Sequence, residues 1–155
     1  MKELINKLVT ELLETLSNSP DKDRYLLGIT GCPAAGKSML AGKLTDEINF
    51  RTGDDLAAVV PMDGFHLPNS ILKKRGLTKV KGAPETFDAG SFVELINQLY
   101  EFPDRSIMCP AYDRKIHDPV ENFITIKPGN RLIIVEGNYL LLNAHPWNLI
   151  RTKMN

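Results

Sequence analysis

Residues 25–38 read YLLGITGCPAAGKS: an apolar run is followed at once by a glycine-rich turn that ends in a lysine and a serine. The run 25–30 has the length and composition of a buried β-strand. After the turn, apolar side chains recur at helical intervals from Lys37 to about Asn49, which predicts a helix. A strand, a tight turn and a helix in direct succession predict one unit of an α/β fold.

The turn has glycine, glycine, lysine and serine at the spacing G-x-x-x-x-G-K-S, which is the pattern of phosphate-binding (Walker A) loops. Glycines allow the backbone to present its N–H groups to phosphate oxygens, and the positive end of the following helix points the same way. Lys37 can reach the β- and γ-phosphates of a nucleotide, and the Ser38 hydroxyl can bind Mg²⁺. A purely structural glycine turn is disfavoured, because the buried strand before it and the helix after it are both present.

The rest of the chain continues the alternation of strands and helices. Predicted strands cover residues 25–30, 56–62, 106–109, 122–126 and 132–135, and predicted helices cover residues 4–16, 37–49 and 91–100. The first helix is amphipathic and is expected to end near Ser19 and Pro20. Asp88 is positioned to cap the helix that follows Ala89. This order predicts an α/β fold with a mostly parallel central sheet.

Composition and charge narrow the class of protein. The chain has 155 residues, 43% hydrophobic and 25% charged, and a formal net charge of zero. These values predict one globular domain and argue against a nucleic-acid or anionic-membrane partner. Two cysteines, Cys32 and Cys109, are too few for a disulfide scaffold, and no apolar run approaches the length of a membrane span. We expect a cytoplasmic protein.

Two carboxylates follow the other predicted apolar strands. Asp63 comes after LAAVVPM, and Glu136 comes after LIIV. Because parallel strands deliver their carboxyl ends to one edge of a sheet, both acids are expected beside the glycine turn. Asp63 can accept the proton of a substrate hydroxyl or hold Mg²⁺, and Glu136 can order Mg²⁺ as Walker B acids do. A plain turn at Asp63 and an exposed strand-end acid at Glu136 are the structural alternatives.

Five stretches occur in the order found in one superfamily: GITGCPAAGKS, VVPMDGFHLPN, KGAPETFD, PAYDRKIHDPV and IIVEGNYLLL. They resemble the uridine kinase, phosphoribulokinase and bacterial pantothenate kinase superfamily over residues 20–150. The sequence is most similar to its bacterial branch of nucleoside/nucleotide kinase-like or fructose-transport-kinase-like proteins. The resemblance implies the P-loop NTPase fold, with three α/β/α layers, in one kinase domain over residues 1–155. Residues 1–19 would form a helix preceding the kinase core.

The resemblance also implies a role for each matching residue. The nucleotide-binding residues would be Gly31, Cys32, Pro33, Ala34, Ala35, Gly36, Lys37, Ser38 and Met39, with ATP and Mg²⁺ as cofactors. Ser38, Asp63 and Glu136 would be the metal-binding residues, and Asp63, Lys37 and Glu136 the catalytic ones, with Asp63 as general base. The residues expected to bind the acceptor are Phe65, His66, Tyr112, Asp113, Arg114 and His117.

Several of these residues have simpler interpretations. Asp113 and Arg114 would, in the alternative, pair with each other on a loop. His117 is equally consistent with a structural role, and Lys81 with a solvated lysine rather than a contact to an acidic substrate. Cys32 is interpreted as a small filler rather than a reactive thiol.

The family pattern continues beyond this sequence, with a lid and two further strands. We therefore expect the strand before the glycine loop to have an open edge. We also expect a truncated or split protein, with a homodimer or a complementing C-terminal fragment as partner.

The sequence thus predicts an ATP-dependent kinase that acts on a hydroxyl of a nucleoside, pantothenate or a sugar. The alternative is a module that binds nucleotide without transferring phosphate. A switch GTPase is disfavoured, since no N-K-x-D stretch is present.

Overall fold

The computed structural model describes residues 1–19 and 23–154, where helices and strands alternate along the chain. The helices are α1 (Lys2–Ser17), α2 (Lys37–Thr52), α3 (Asn69–Lys74) and α4 (Ala89–Glu101). The strands are β1 (Tyr25–Thr30), β2 (Ala57–Pro61), β3 (Ile107–Asp113), β4 (Asp118–Ile126) and β5 (Leu132–Gly137). Short 3₁₀ turns cover Met62–Phe65, Thr78–Val80, Pro84–Thr86 and Trp147–Lys153.

Three strands form a parallel sheet in the order β1-β5-β2. The central strand β5 is buried along its whole length, as its uninterrupted apolar sequence LIIV predicts. In register, Thr30 lies beside Gly137 and Pro61 beside Glu136, so all three strands end at one edge. Within the described part of the chain, β1 is hydrogen-bonded to a neighbouring strand on one side only, as expected for an open edge.

Helices cover both faces of this sheet and form two hydrophobic cores. On one face α1 and α2 pack against β5 through Val9, Leu44 and Leu132, among other residues. On the other face α4 and the Trp147–Lys153 turn pack against β5 through Phe92 and Ile133. The structure therefore has the three α/β/α layers and the parallel sheet that the sequence predicts.

The other two strands form a separate antiparallel hairpin. β3 pairs with β4, with Asp113 opposite Asp118, so that residues 114–117 form the turn. The sequence predicts only residues 106–109 and 122–126 as strand. The hairpin is longer because residues 111–113 pair with residues 118–120 beyond a register shift at Pro110, without the apolar alternation that marks a half-buried strand.

Two glycines fix the turn that follows β2. A Cβ on Gly64 would collide with the carbonyl group of Pro110 in β3, because it would lie 2.7 Å from the carbonyl carbon. A Cβ on Gly137 would lie 2.6 Å from the Cβ of Met62. Since real Cβ atoms do not approach so closely, the turn is seated against β3 on one side and β5 on the other. Asp63 lies between these two contacts.

Several boundaries differ from the sequence prediction. Helix α1 ends at Ser17, and Pro20 lies outside the described residues. Helix α3 is not predicted, because six residues are too few to show a helical period. Asp88 does cap α4, accepting a hydrogen bond from the Ser91 N–H at 3.0 Å. None of the helices in residues 1–19 and 23–154 has the length and apolar character needed to span a bilayer.

Candidate active site

The glycine-rich turn folds around its own lysine. Gly36 has a φ of +86° and begins α2, and its left-handed conformation is one that glycine adopts without steric cost. The Lys37 ammonium donates to the Cys32 carbonyl oxygen at 2.8 Å. In the described chain no side chain caps the first turn of α2, so its N–H groups remain available to an anion.

Beside this loop lies a cavity of about 390 Å³, called here the phosphate cavity. Its lining residues are Pro33, Ala34, Gly36, Lys37, Ser38, Met39, Asp63, Arg114, Glu136 and Asn138. The sheet edge therefore brings six of the nine predicted loop residues and both predicted acids to one place, whereas Gly31, Cys32 and Ala35 do not line this cavity. Asn138, one residue beyond the end of β5, is a lining residue that the sequence analysis missed.

Glu136 and Ser38 meet across the cavity floor. The Ser38 hydroxyl donates to Glu136 Oε1 at 3.1 Å, and Glu136 is only 5% exposed. Burial raises the pKa of Glu136, and the nearby Asp63 charge raises it further. The Ser38 hydrogen bond, Lys37 and Arg114 lower this pKa in part.

A hydroxyl and a carboxylate are the hard oxygen ligands that Mg²⁺ prefers. In the described residues no group of three or more His, Cys, Asp or Glu side chains could hold a metal by itself. This donor set fits an ion that completes its shell with water and nucleotide phosphates.

The raised pKa of Glu136 predicts a stability cost at neutral pH. The folded state binds the Glu136 proton more tightly than the unfolded state does, so ionised Glu136 lowers stability above its folded pKa. That cost disappears as the pH falls below the unfolded pKa. We expect Glu136→Gln to raise Tm near neutral pH, by an amount that shrinks to nothing at about pH 4.

Thermal melts of the nucleotide-free protein across this pH range measure the effect. Glu14→Gln, on the exposed face of α1, is the matched control and should leave Tm unchanged. A pH-independent Tm difference for Glu136→Gln would contradict the electrostatic explanation.

Asp63 lies in the turn after β2 and is linked to His66. His66 Nδ1 lies 2.8 Å from the Asp63 carbonyl oxygen. Since a carbonyl only accepts, Nδ1 carries the proton and donates. Burial lowers the pKa of His66, which favours the neutral ring at physiological pH. Nε2 is then left as a hydrogen-bond acceptor.

The predicted acceptor residues divide into two groups. The His66 ring lies 4.0 Å from the Phe87 ring and 4.8 Å from the Tyr112 ring, centroid to centroid, so three aromatic side chains meet next to Asp63. Phe65 instead points into the core, 6% exposed and 4.8 Å from Phe92. Phe65 and His66 also line a second cavity of about 450 Å³ between α4 and the hairpin.

The hairpin turn places the remaining predicted residues. Asp113 Oδ1 accepts a hydrogen bond from the Lys115 N–H at 2.7 Å and, in the described chain, forms no ion pair with Arg114. The simpler interpretation of Asp113 and Arg114 as a pair is therefore wrong. His117 is exposed with a φ of +52°, and its backbone carbonyl makes the contacts that the structure shows.

Those contacts come from two residues in the segment between β2 and α4. Asn69 Nδ2 donates to the His117 carbonyl at 2.9 Å, and the Lys81 ammonium donates to the same oxygen at 2.7 Å. Lys81 also donates to Asn69 Oδ1 at 2.6 Å. Lys81 therefore links two segments of the protein by hydrogen bonds and is not a purely solvated lysine. No pattern in the sequence predicts the contact of Asn69 with His117.

The chain is similar in sequence to named kinases. The chain is 39% identical over 150 residues to a putative uridine kinase of Schizosaccharomyces pombe. This match covers 94% of this chain and 61% of that protein. The chain is 32% identical over 124 residues to a pantothenate kinase of Sodalis glossinidius. That match covers 80% of this chain and 39% of the pantothenate kinase. No protein-family model matches. The chain thus spans less than two thirds of the length of each of these two relatives.

A solved structure gives a closer match in length. The crystal structure of a putative fructose transport system kinase from Silicibacter superposes with a TM-score of 0.84 at 36% identity, covering 97% of this chain and 70% of that one. Similarity in sequence and similarity in fold point to the same family. The chain belongs to the family of P-loop kinases that includes uridine kinase-like, pantothenate kinase and fructose transport kinase-like proteins.

Proposed function

We propose that the protein binds ATP with Mg²⁺ in the phosphate cavity and transfers the γ-phosphoryl group to the hydroxyl of a small molecule. The observation that supports this most strongly is the shared lining of that cavity, where Lys37 and Ser38 of the loop lie with Asp63 and Glu136. A phosphate-binding loop without a neighbouring base would support nucleotide binding alone.

The loop residues bind and orient the nucleotide. The N–H groups at the start of α2 would donate to phosphate oxygens, and Lys37 would exchange its contact with the Cys32 carbonyl for the β- and γ-phosphates. Ser38 and Glu136 would hold Mg²⁺, which when bound neutralises charge between these two phosphates. To do so, Ser38 and Glu136 would give up the hydrogen bond that they make with each other.

Asp63 is positioned to accept the proton of the attacking alcohol. As the alcohol oxygen bonds to the γ-phosphorus, the bond from that phosphorus to the β–γ bridging oxygen breaks, and ADP leaves with the electron pair. The hydroxyl proton moves to the Asp63 carboxylate. The tight seating of the 62–65 turn holds this carboxylate in place, which is how kinases obtain most of their rate.

The acceptor would lie on the aromatic surface next to Asp63. His66 and Tyr112 form that surface, with the buried Phe87 ring packed against His66, and neutral His66 offers Nε2 as an acceptor for a second hydroxyl. An aromatic surface that carries hydrogen-bonding groups suits a nucleoside, a sugar or a pantothenate-like alcohol. Names of relatives that include uridine and pantothenate kinases support this class.

A phosphoryl-transfer screen tests the proposal. Radiolabelled ATP and Mg²⁺ are incubated with nucleosides, pantothenate and sugars, and labelled products are separated. We expect one acceptor class to be phosphorylated at a rate well above ATP hydrolysis. ATP binding in calorimetry without transfer to any acceptor would support the nucleotide-binding module instead.

A further inference from the structure

The turn of the β3–β4 hairpin carries an arginine without a protein partner. In the residues that the structure describes, the Arg114 guanidinium makes no hydrogen bond and no ion pair. The acid next to it, Asp113, is occupied by the backbone N–H of Lys115. Arg114 therefore presents a full set of N–H donors to whatever enters the neighbouring space.

That space is the phosphate cavity. Arg114 lines it together with Lys37, Ser38 and Glu136, and its charge is close enough to lower the pKa of Glu136. The cavity lining carries two carboxylates, Asp63 and Glu136, and two cations, Lys37 and Arg114. Without Arg114 the protein would present a net negative lining to an anionic triphosphate, which is electrostatically unfavourable.

We propose that Arg114 binds the transferring γ-phosphoryl group of ATP rather than the acceptor alcohol, and is thus a catalytic residue of the transfer. This inference rests on the proposed function. A planar guanidinium can contact two equatorial oxygens at once, and charge on those oxygens is what a kinase stabilises.

The hairpin turn is held in place for this task. The His117 carbonyl accepts hydrogen bonds from Asn69 and Lys81, and the Asn69 N–H donates to Asp118 Oδ1 at 2.8 Å. These contacts bind His117, the last residue of the turn, and Asp118, the first residue of β4, to the segment between β2 and α4. Asn69 and Lys81 are therefore positioning residues, which act on the phosphoryl group through Arg114.

Binding of a transition-state mimic tests the inference without an identified acceptor. MgADP with aluminium fluoride imitates the transferring phosphoryl group, and MgADP alone lacks it. For Arg114→Ala we expect affinity for the aluminium fluoride complex to fall by about 10- to 100-fold, the range for a hydrogen bond to a charged group. Affinity for MgADP should stay within about two-fold. Lys115→Ala, an exposed cation on the same turn that does not line the phosphate cavity, should change neither.

A double-mutant cycle tests the positioning role. Lys81→Met should weaken the aluminium fluoride complex less than Arg114→Ala does, and adding it to Arg114→Ala should cause no further loss. If Arg114→Ala leaves affinity for the complex unchanged, or weakens MgADP equally, the inference is wrong while the proposed function stands. If the unsubstituted chain binds neither ligand, both are overturned.

Discussion

Lys37→Ala is expected to weaken MgATP binding by at least about 100-fold, the largest effect of any single change on nucleotide affinity. The ammonium lies at the centre of the glycine loop and donates to the Cys32 carbonyl, 2.8 Å away, when no phosphate is present. Its removal takes away the only side-chain cation of the loop itself and deletes one of the two cations of the phosphate cavity, which leaves Arg114.

Calorimetric titration with MgATP measures this effect, and a thermal melt confirms that the variant is folded. Lys43→Ala is the matched control, since Lys43 is exposed on the same helix and lies outside the phosphate cavity. Unchanged affinity in a folded Lys37→Ala protein would refute the assignment of the loop.

Asp63→Asn is expected to separate binding from chemistry. Asparagine keeps the size of the side chain but cannot take a proton, so transfer should fall by about 10²- to 10⁴-fold, the usual contribution of a general base. Affinity for MgATP should be equal or slightly higher, because a negative charge next to the phosphates is removed.

Single-turnover transfer to the acceptor found in the screen, with a parallel ATP titration, gives both quantities. Asp46→Asn, an exposed acid on α2 outside the phosphate cavity, should alter neither. Survival of full transfer in Asp63→Asn would assign the base to another residue.

The sequence predicts the parallel sheet and the phosphate cavity because both depend on local signals. Residues 25–38 contain a strand, a turn and a helix start within one short window, and Glu136 follows an apolar run directly. The carboxyl ends of parallel strands must meet at one edge, so Asp63 and Glu136 are expected beside the loop without knowledge of the register. The structure places them there.

The β3–β4 hairpin and the hydrogen bonds that hold its turn could not be predicted in the same way. Its pairing joins residues of mixed polarity, and the contacts of Asn69 and Lys81 with the His117 carbonyl span 48 and 36 residues. A side chain that donates to a distant backbone oxygen leaves no periodic trace in the sequence. Phe65 shows the same limit, because its burial against Phe92 depends on how α4 packs.

The two glycine contacts that seat Asp63 have a consequence for protein engineering. Packing of Gly64 on the Pro110 carbonyl group and of Gly137 on the Met62 side chain holds the backbone of the 62–65 turn, while His66 and Tyr112 lie next to that turn. Under the proposed function, the position of the reacting carboxylate and the choice of alcohol would therefore depend on different residues. A library that randomises residues 66 and 112 while keeping both glycines and the buried Phe87 would then search for new alcohols with the 62–65 turn still in place, which offers one route by which a single scaffold diversifies.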